Sequence, residues 1–223
     1  FYILLDILFE ENHYARIVSK PIKNDLLNTQ GEDLEVVLPS VDCILGDKLT
    51  AFAPHTTGIP LGIGKELEII KQMYDVATLI DVFDDFEDVY NSYMAIVETE
   101  INYRGLDISA NEVLMDTIDT AACIAGRGQI GSEYSMYLAG IKSISTHIYD
   151  ERYSAEKAVQ SACKTMYLAA CILRKSNFEK IIDCNLYLDC NIGKSNYSKL
   201  SKLRKFNAEA FAYVVKTVEL LEK

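Results

Sequence analysis

Apolar residues recur at two different spacings along this chain, and the change of spacing separates a short β region from a longer helical one. Residues 2–9 are apolar on both faces apart from Asp6, which predicts a central strand covered on two sides. Shorter apolar runs predict two further strands over 15–19 and 34–38, with a polar turn region between them. We therefore expect a small mixed β-sheet in the first part of the chain.

The apolar positions follow a helical period after residue 40. Ser40 is a favourable N-cap, and the apolar residues that follow recur every three or four positions, which predicts an amphipathic helix over 41–53. Lys48 falls inside the apolar stripe of this helix, whereas Asp47 points away from it. Because an unpaired buried ammonium is too costly to keep charged, Lys48 must either extend its head to solvent or find an anion.

A loop rich in glycine and proline, residues 54–64, is the clearest boundary in the chain, and all that follows it has helical periodicity. The spacing is irregular and shows no internal repeat, which predicts a helical bundle. The expected helices cover 66–83, 84–103, 113–125 after a capping box of Ser109 and Glu112, a segment opened by Ser132, a segment from Ser154 to Ala170, and Ser198 to the end.

Length and composition restrict the class of protein. At 223 residues the chain can form one domain or two smaller ones, and its 49% hydrophobic and 25% charged content is ordinary for a globular protein. The formal net charge of −11 disfavours a broad nucleic-acid or anionic-membrane surface, although it allows a local basic cleft. No apolar run approaches the roughly 18 residues of a membrane span, so no membrane partner is expected.

The six cysteines form no CxxC pair and lie mostly within apolar helical patterns. This placement predicts small, reduced core residues in a cytoplasmic protein rather than disulfides. Cys184 and Cys190 have neighbouring aspartates, but without nearby histidines the pattern is only a weak indication of a metal site. The three histidines are scattered along the sequence, and no catalytic or metal-binding set can be assembled from them.

The chain begins without methionine, directly inside the strand-like run that contains Asp6. Too few residues precede this run for a signal peptide, and no charged leader is present. We therefore expect the sequence to be a fragment that lacks its N-terminal part.

Two aspartates are candidate site residues. Asp6 needs a partner inside its apolar strand, either a backbone donor or lysine at the sheet end or a Mg²⁺ ion shared with carboxylates on adjacent strands. Asp75 lies roughly opposite the apolar stripe of its helix, where the alternative to a functional role is a solvent-exposed pair with Lys71, worth a few tenths of a kcal/mol.

Two other segments resemble functional motifs without fitting them. Residues 58–65 look like a phosphate-binding loop, but the spacing is one residue too long and Glu66 stands where Ser or Thr should bind Mg²⁺. The acidic run over 81–88 is interpreted as a helix junction whose carboxylates favour the next helix N-terminus.

Several of these segments together resemble the AbiEii/AbiGii toxin family of nucleotidyltransferases. The matching segments are Asp6 on its strand, 39–51 with Gly46-Asp47-Lys48, 71–75 with the sequence Lys-Gln-Met-Tyr-Asp, 101–105 and 117–122. The resemblance covers most of the chain and is strongest over residues 3–105.

This family is similar to DNA polymerase β in its catalytic core, where a Gly-Ser motif followed by Asp-x-Asp holds the nucleoside triphosphate and Mg²⁺. That segment is absent from this sequence, which agrees with the expected fragment. The resemblance implies that Asp6 is the additional strand carboxylate and that Lys48 lies near the triphosphate. It matches Asp75 to the acidic residue of an Arg-Asp-x-x-Asp-like motif, in which Lys71-Gln72 replaces the Arg-Asp pair.

Nucleotidyl transfer depends on positioning and on neutralising charge that develops on phosphate oxygens, so a lysine directed inward from a packed helix suits it. Asp75 can orient either Lys48 or the acceptor nucleophile, and the sequence leaves both possibilities open. We expect Lys48 and Asp75 to face a substrate rather than to pair with each other.

The sequence therefore predicts an α+β chain in which residues 1–58 form the end of a nucleotidyltransferase core and residues 59–223 a helical domain. By resemblance it is a cytoplasmic, Mg²⁺-dependent toxin of a toxin–antitoxin or phage-defence system, with Asp6, Lys48 and Asp75 as catalytic residues. The implied partners are a nucleoside triphosphate, an RNA (such as tRNA) or protein acceptor, and a cognate antitoxin. The isolated chain is expected to be inactive. The alternative is a non-catalytic helical protein-interaction module.

Overall fold

A short antiparallel strand pair precedes a bundle of helices in the computed structural model, which confirms the α+β class. The structure describes residues 7, 9, 11–23, 28, 30–148 and 152–222. The strands are β1 (Ile17–Pro21) and β2 (Glu35–Pro39), and the helices are α1 (Val41–Ala51), α2 (Glu66–Val82), α3 (Phe86–Arg104), α4 (Ala110–Gly126), α5 (Tyr134–Ile144), α6 (Ala155–Arg174) and α7 (Ala208–Leu221), with 3-10 helices at Cys184–Tyr187 and Ser198–Lys205. Within these residues no helix combines the length and apolarity needed to cross a bilayer.

Strands β1 and β2 lie close to the predicted positions and pair in a register that joins Ile17 to Pro39 and Pro21 to Glu35. The described residues contain this antiparallel pair and no parallel one, so the mixed character of the expected sheet is not seen in them. The strand predicted over 2–9 lies outside the described residues, apart from two isolated positions in loop conformation. Most side chains of the pair are exposed.

Side-chain caps fix several helix starts where the sequence predicted them. Ser40 accepts a hydrogen bond from the backbone N–H of Cys43, and Ser109 forms the full capping box with Glu112. Ser154 caps α6 in the same way as Ser40 caps α1. The acidic run is the predicted junction, since Asp85 caps α3 immediately after α2 ends.

The last predicted helix is wrong in its first half. The chain from Ser198 to Lys205 forms a 3-10 helix, and Asn207 then caps a separate helix, α7. Apolar residues at i and i+3 occur in both helix types, so their spacing did not distinguish a 3-10 turn from an α-turn. Helix α5 also begins two residues after Ser132, at Tyr134.

Helix α6 lies at the centre of the bundle and packs against α2, α4 and α7. Its residues from Ser161 to Ile172 are all buried, so it has no solvent-facing side over that stretch. Helix α1 joins the same apolar core through Leu45 and Leu49, and it packs on α2 and α3. The division of the chain after residue 58 stays a prediction.

The cysteines contribute to this core. All six carry free thiols, and the buried ones are Cys43, Cys123, Cys163 and Cys171. Burial raises the pKa of the Cys171 thiol to about 12, although the Tyr167 hydroxyl and the charge of Lys216 act in the opposite direction. Such a thiol stays protonated at neutral pH and packs as a small apolar group.

Asp42, in the first turn of α1, connects three parts of the fold. Its buried carboxylate accepts hydrogen bonds from the backbone N–H groups of Asp84 and Asp85 at 2.9 and 3.3 Å and from the Arg16 guanidinium at 2.6 Å. Arg16 also forms an ion pair with Asp88 at 2.9 Å. The strand region, α1 and the α2–α3 junction therefore meet at this one carboxylate.

These donors also control the ionisation of Asp42. Burial alone would raise its pKa, but the two backbone donors and the Arg16 charge outweigh burial and hold the pKa below its usual value. The stabilisation is therefore present above the ordinary aspartate pKa and is lost as the pH falls through the lower pKa of the folded protein.

We expect Asp42→Asn to lower the free energy of unfolding by about 2 kcal/mol at neutral pH, because a neutral amide accepts weaker hydrogen bonds and loses the ion pair. Urea unfolding followed by circular dichroism measures the change. Asp33→Asn is the control, since that aspartate is exposed and lies 3.7 Å from Lys23 in a surface pair. Equal effects of the two substitutions would contradict the linking role of Asp42.

Candidate functional site

Gly46 explains how α1 comes to lie directly on α3. A Cβ atom at this position would lie 2.6 Å from the carbonyl oxygen of Val89 and 2.8 Å from the backbone nitrogen of Tyr93. Only glycine permits that approach of two backbones. The Gly46-Asp47-Lys48 segment is thus held firmly, with Lys48 in the last turn of α1.

Lys48 and Asp75 are brought together. The Lys48 Nζ atom lies 3.0 Å from Asp75 Oδ2, and the two side chains are 35% and 39% exposed. The sequence led us to expect that they face a substrate rather than each other, whereas the structure pairs them directly across α1 and α2. Within the described residues Asp75 forms an ion pair with Lys48 and none with Lys71. The alternative suggested by the sequence, a solvent-exposed pair of Asp75 with Lys71, is therefore not seen.

Asp47 also takes part in this region, although the sequence placed it away from the core. It is half-buried, and its Oδ2 atom accepts a hydrogen bond of 2.8 Å from the Tyr14 hydroxyl. Burial raises the pKa of Asp47, and the Tyr14 hydrogen bond and the Lys48 charge offset this only in part. The segment before β1 is thereby attached to α1 beside Lys48.

The third predicted site residue, Asp6, lies outside the described residues, so its distance from Lys48 is undefined. Among the residues that are described, no group of three or more His, Cys, Asp or Glu side chains is placed to hold a metal ion.

A second charged group, which the sequence analysis missed, lies in the bundle centre. Lys164 on α6 is 9% exposed, and its Nζ atom lies 2.6 Å from Asp81 and 3.6 Å from Glu209. Gln160 donates a further hydrogen bond to Glu209. A lysine within the run Ala-Cys-Lys-Thr-Met was the available signal, because such a run on a helix predicts burial.

A cavity of about 320 Å³ lies over Lys164. Its walls include Tyr74, Thr78, Asp81, Gln160, Ser161 and Lys164. The cation already contacts two carboxylates there, so the arrangement neutralises a buried charge and leaves little of it for a ligand. We interpret this group as structural.

A third group surrounds His55. Its Nδ1 atom lies 2.7 Å from Asp116 and its Nε2 atom 3.1 Å from both oxygens of Glu133. Thr56 also donates to Asp116, at 2.9 Å. The carboxylates follow 61 and 78 residues later in the sequence, and no local pattern connects them to the histidine.

The two carboxylates favour the charged imidazolium. Partial burial acts to lower the pKa of His55, but the hydrogen bonds and charges of Asp116 and Glu133 outweigh it and raise the pKa above its usual value. A protonated ring can donate from both nitrogens, which matches a carboxylate on each side. This group joins the loop after α1 to α4 and to the start of α5.

No model of a known protein family matches the chain, and neither a curated protein nor a solved structure matches it.

The His55 group predicts a pH-dependent contribution to stability. Because the pKa is raised in the folded state, the contribution is complete below the ordinary histidine pKa and is lost as the pH rises through the folded value. We expect His55→Gln to lower the free energy of unfolding by about 0.5–1 kcal/mol near pH 5.5 and by less near pH 9, a size set by the ring's exposure.

Chemical denaturation of both proteins across this pH range measures the difference. His147→Gln is the matched control, since the His147 ring contacts a hydroxyl and a backbone carbonyl rather than carboxylates. If the stability lost in His55→Gln were larger at high pH than at low pH, the predicted direction of the pH dependence would be wrong.

Proposed function

We propose that this chain belongs to a Mg²⁺-dependent nucleotidyltransferase of the toxin–antitoxin or phage-defence type. The observation that carries the proposal is the pair of Lys48 and Asp75, two residues chosen from separate motifs whose charged groups lie 3.0 Å apart on neighbouring helices. In the proposed reaction an acceptor hydroxyl attacks the α-phosphorus of a nucleoside triphosphate and pyrophosphate leaves.

The solvent exposure of the Lys48–Asp75 ion pair supports the proposal that Lys48 exchanges Asp75 for a phosphate of the substrate. An ion pair of which each side chain is more than one-third exposed contributes less than about 1 kcal/mol, because solvent screens it. Lys48 can therefore leave Asp75 for a more highly charged triphosphate at small cost. A polyphosphate would also neutralise the ammonium better than one carboxylate does.

The backbone around Lys48 supports a positioning role. Gly46 seats α1 on α3, and Asp42 attaches the start of the same helix to the α2–α3 junction. A cation that neutralises charge in a transition state is effective when its position is fixed beforehand. Asp75 then orients the lysine until the phosphate arrives.

The remaining parts of the proposal rest on the family resemblance. They are Asp6 as a metal ligand, Mg²⁺ as cofactor, an RNA or protein acceptor, a cognate antitoxin and a cytoplasmic location. The proposed roles of Lys48 and Asp75 include no step through the metal. We expect the chain by itself to be inactive, because its sequence lacks the Gly-Ser and Asp-x-Asp segment.

The test uses protein expressed from its complete gene, incubated with each α-labelled nucleoside triphosphate and with total RNA or total protein. We expect label to enter one acceptor class, and Lys48→Ala to reduce the labelling rate about 100-fold or more, the size seen when one charge-stabilising group is removed. Thermal unfolding of Lys48→Ala should stay close to that of the wild type, because an exposed pair stabilises little.

Lys71→Ala is the matched control, because this lysine lies on α2 near Asp75 and is not its partner. It should label at the wild-type rate. Wild-type protein that labels nothing would refute the proposed activity, and a Lys48→Ala protein that labels normally would refute the role of Lys48.

A further inference from the structure

The 3-10 helix at Ser198–Lys205 has a three-residue sequence repeat, which matches the period of a 3-10 helix and not that of the predicted α-helix. Its lysines stand at 199, 202 and 205, and apolar residues follow each of them at 200, 203 and 206. A 3-10 helix has three residues per turn, so side chains at i and i+3 lie directly above one another. Lys199, Lys202 and Lys205 therefore form a straight row, hereafter the lysine ridge.

The opposite side of this helix is anchored in the core. Leu200 is buried and Leu203 is half-buried against the bundle, while the preceding Tyr197 donates a hydrogen bond of 3.1 Å to Asp119. Arg204 points inward as well, with its guanidinium 4.9 Å from the centre of the Phe211 ring. The anchoring leaves the lysine ridge exposed.

The charges of the ridge are not neutralised by any described carboxylate. Lys199 donates to the backbone carbonyl of Gln129 at 2.7 Å, and Lys202 donates to the side-chain oxygen of the same residue at 3.1 Å. Two ammonium groups are thus held around one neutral residue. Neither forms an ion pair within the described part of the chain, in a protein with a net charge of −11.

A groove borders the first two lysines of the ridge. Two cavities of about 420 and 540 Å³ share Gln129, Lys199 and Lys202 in their walls. Arg127 and Glu156 also line the first of these cavities and form an ion pair of 3.0 Å, so the unpaired charge of the groove comes from the lysines. The floor of this cavity is apolar, with Val159, Leu200 and Leu203.

An aromatic ring stands at one end of the groove. Phe206 lines the first cavity, continues the row of Leu200 and Leu203, and is nevertheless 83% exposed. An exposed phenyl ring beside a row of lysines combines a stacking surface with cations, which is the usual composition of a single-strand nucleic-acid site.

We propose that the lysine ridge and Phe206 bind single-stranded nucleic acid, with successive phosphates on the lysines and a base on the ring. The rise of about 2 Å per residue in a 3-10 helix spaces the lysines by about 6 Å. The bases of a single strand are free to stack on Phe206, whereas those of a duplex are already paired and stacked inside it. Double-stranded nucleic acid needs a broad basic surface, which the net charge opposes.

This site goes beyond the proposed nucleotidyl transfer and does not depend on it. It shares no residue with the Lys48–Asp75 pair and lies wholly in described residues. Binding can be measured without any nucleoside triphosphate, so loss of one activity does not imply loss of the other.

The test is fluorescence anisotropy of labelled RNA and DNA strands of about ten nucleotides, titrated with the protein over a range of salt. Three phosphate contacts predict a plot of log affinity against log salt with a slope of about −2. Lys199→Gln, Lys202→Gln and Lys205→Gln combined should bring this slope close to zero and weaken binding at least tenfold at low salt. Phe206→Ala should weaken binding about tenfold with the slope unchanged.

A matched variant controls for net charge. Lys20→Gln, Lys65→Gln and Lys142→Gln combined remove the same three charges from exposed positions elsewhere, and should leave affinity and slope unchanged. Circular dichroism verifies that each variant is folded. Binding of either RNA or DNA supports the proposal, and a preference between them identifies the source of the strand.

Three results would overturn it. The ridge and control variants could bind equally well, which would mean that binding is non-specific. A duplex could bind more tightly than either strand. A glutamate-rich peptide of equal charge could bind as tightly as the strands and be unaffected by Phe206→Ala, which would identify an acidic protein as the partner.

Discussion

Helix α6 is the element on which the rest of the bundle depends, because every residue between Ser161 and Ile172 is buried. A helix that is buried all round is stable only when other helices cover it, and α2, α4 and α7 do so. The one cation within this stretch, Lys164, cannot remain charged there without anions. Asp81 at the end of α2 and Glu209 in the first turn of α7 supply them. The ion pairs of Lys164 therefore also connect α6 to two of the helices that cover it.

Asp42 connects the strand pair to the helical bundle, as Lys164 connects the central helices to one another. The pair of strands is too small and too exposed to be stable by itself, so it requires an attachment. Arg16 provides that attachment by bridging Asp42 and Asp88, and the two backbone donors at the α2–α3 junction complete it. Since Asp42 lies in the first turn of α1 and Lys48 in its last turn, the position of the candidate catalytic lysine depends on a carboxylate at the other end of the same helix.

The sequence predicted those features that are local. Helices with a capping residue and an amphipathic stripe, such as α1 and α4, were found with nearly correct limits, because the cap and the stripe lie within a few residues of each other. Contacts between distant residues were not found. The His55 group joins three elements, and nothing in the neighbourhood of His55 specifies which carboxylates it meets. The proximity of Lys48 and Asp75 was anticipated from the family resemblance, but their direct pairing was not.

The lysines of this protein also show why helical periodicity singled out only one of them. Lys48 stood out because it falls inside the apolar stripe of α1, whereas Lys164 follows Lys157 and Gln160 at helical spacing and so falls on the polar stripe of α6. The number of carboxylates that each lysine contacts then distinguishes their roles. Lys164 is buried and meets two carboxylates, which fixes it as a structural cation. Lys48 is half-exposed and meets one, so the proposed exchange of that carboxylate for a phosphate would cost little. The lysine ridge meets no described carboxylate, and its charge is therefore the most available to an anionic strand, even though the chain as a whole is acidic.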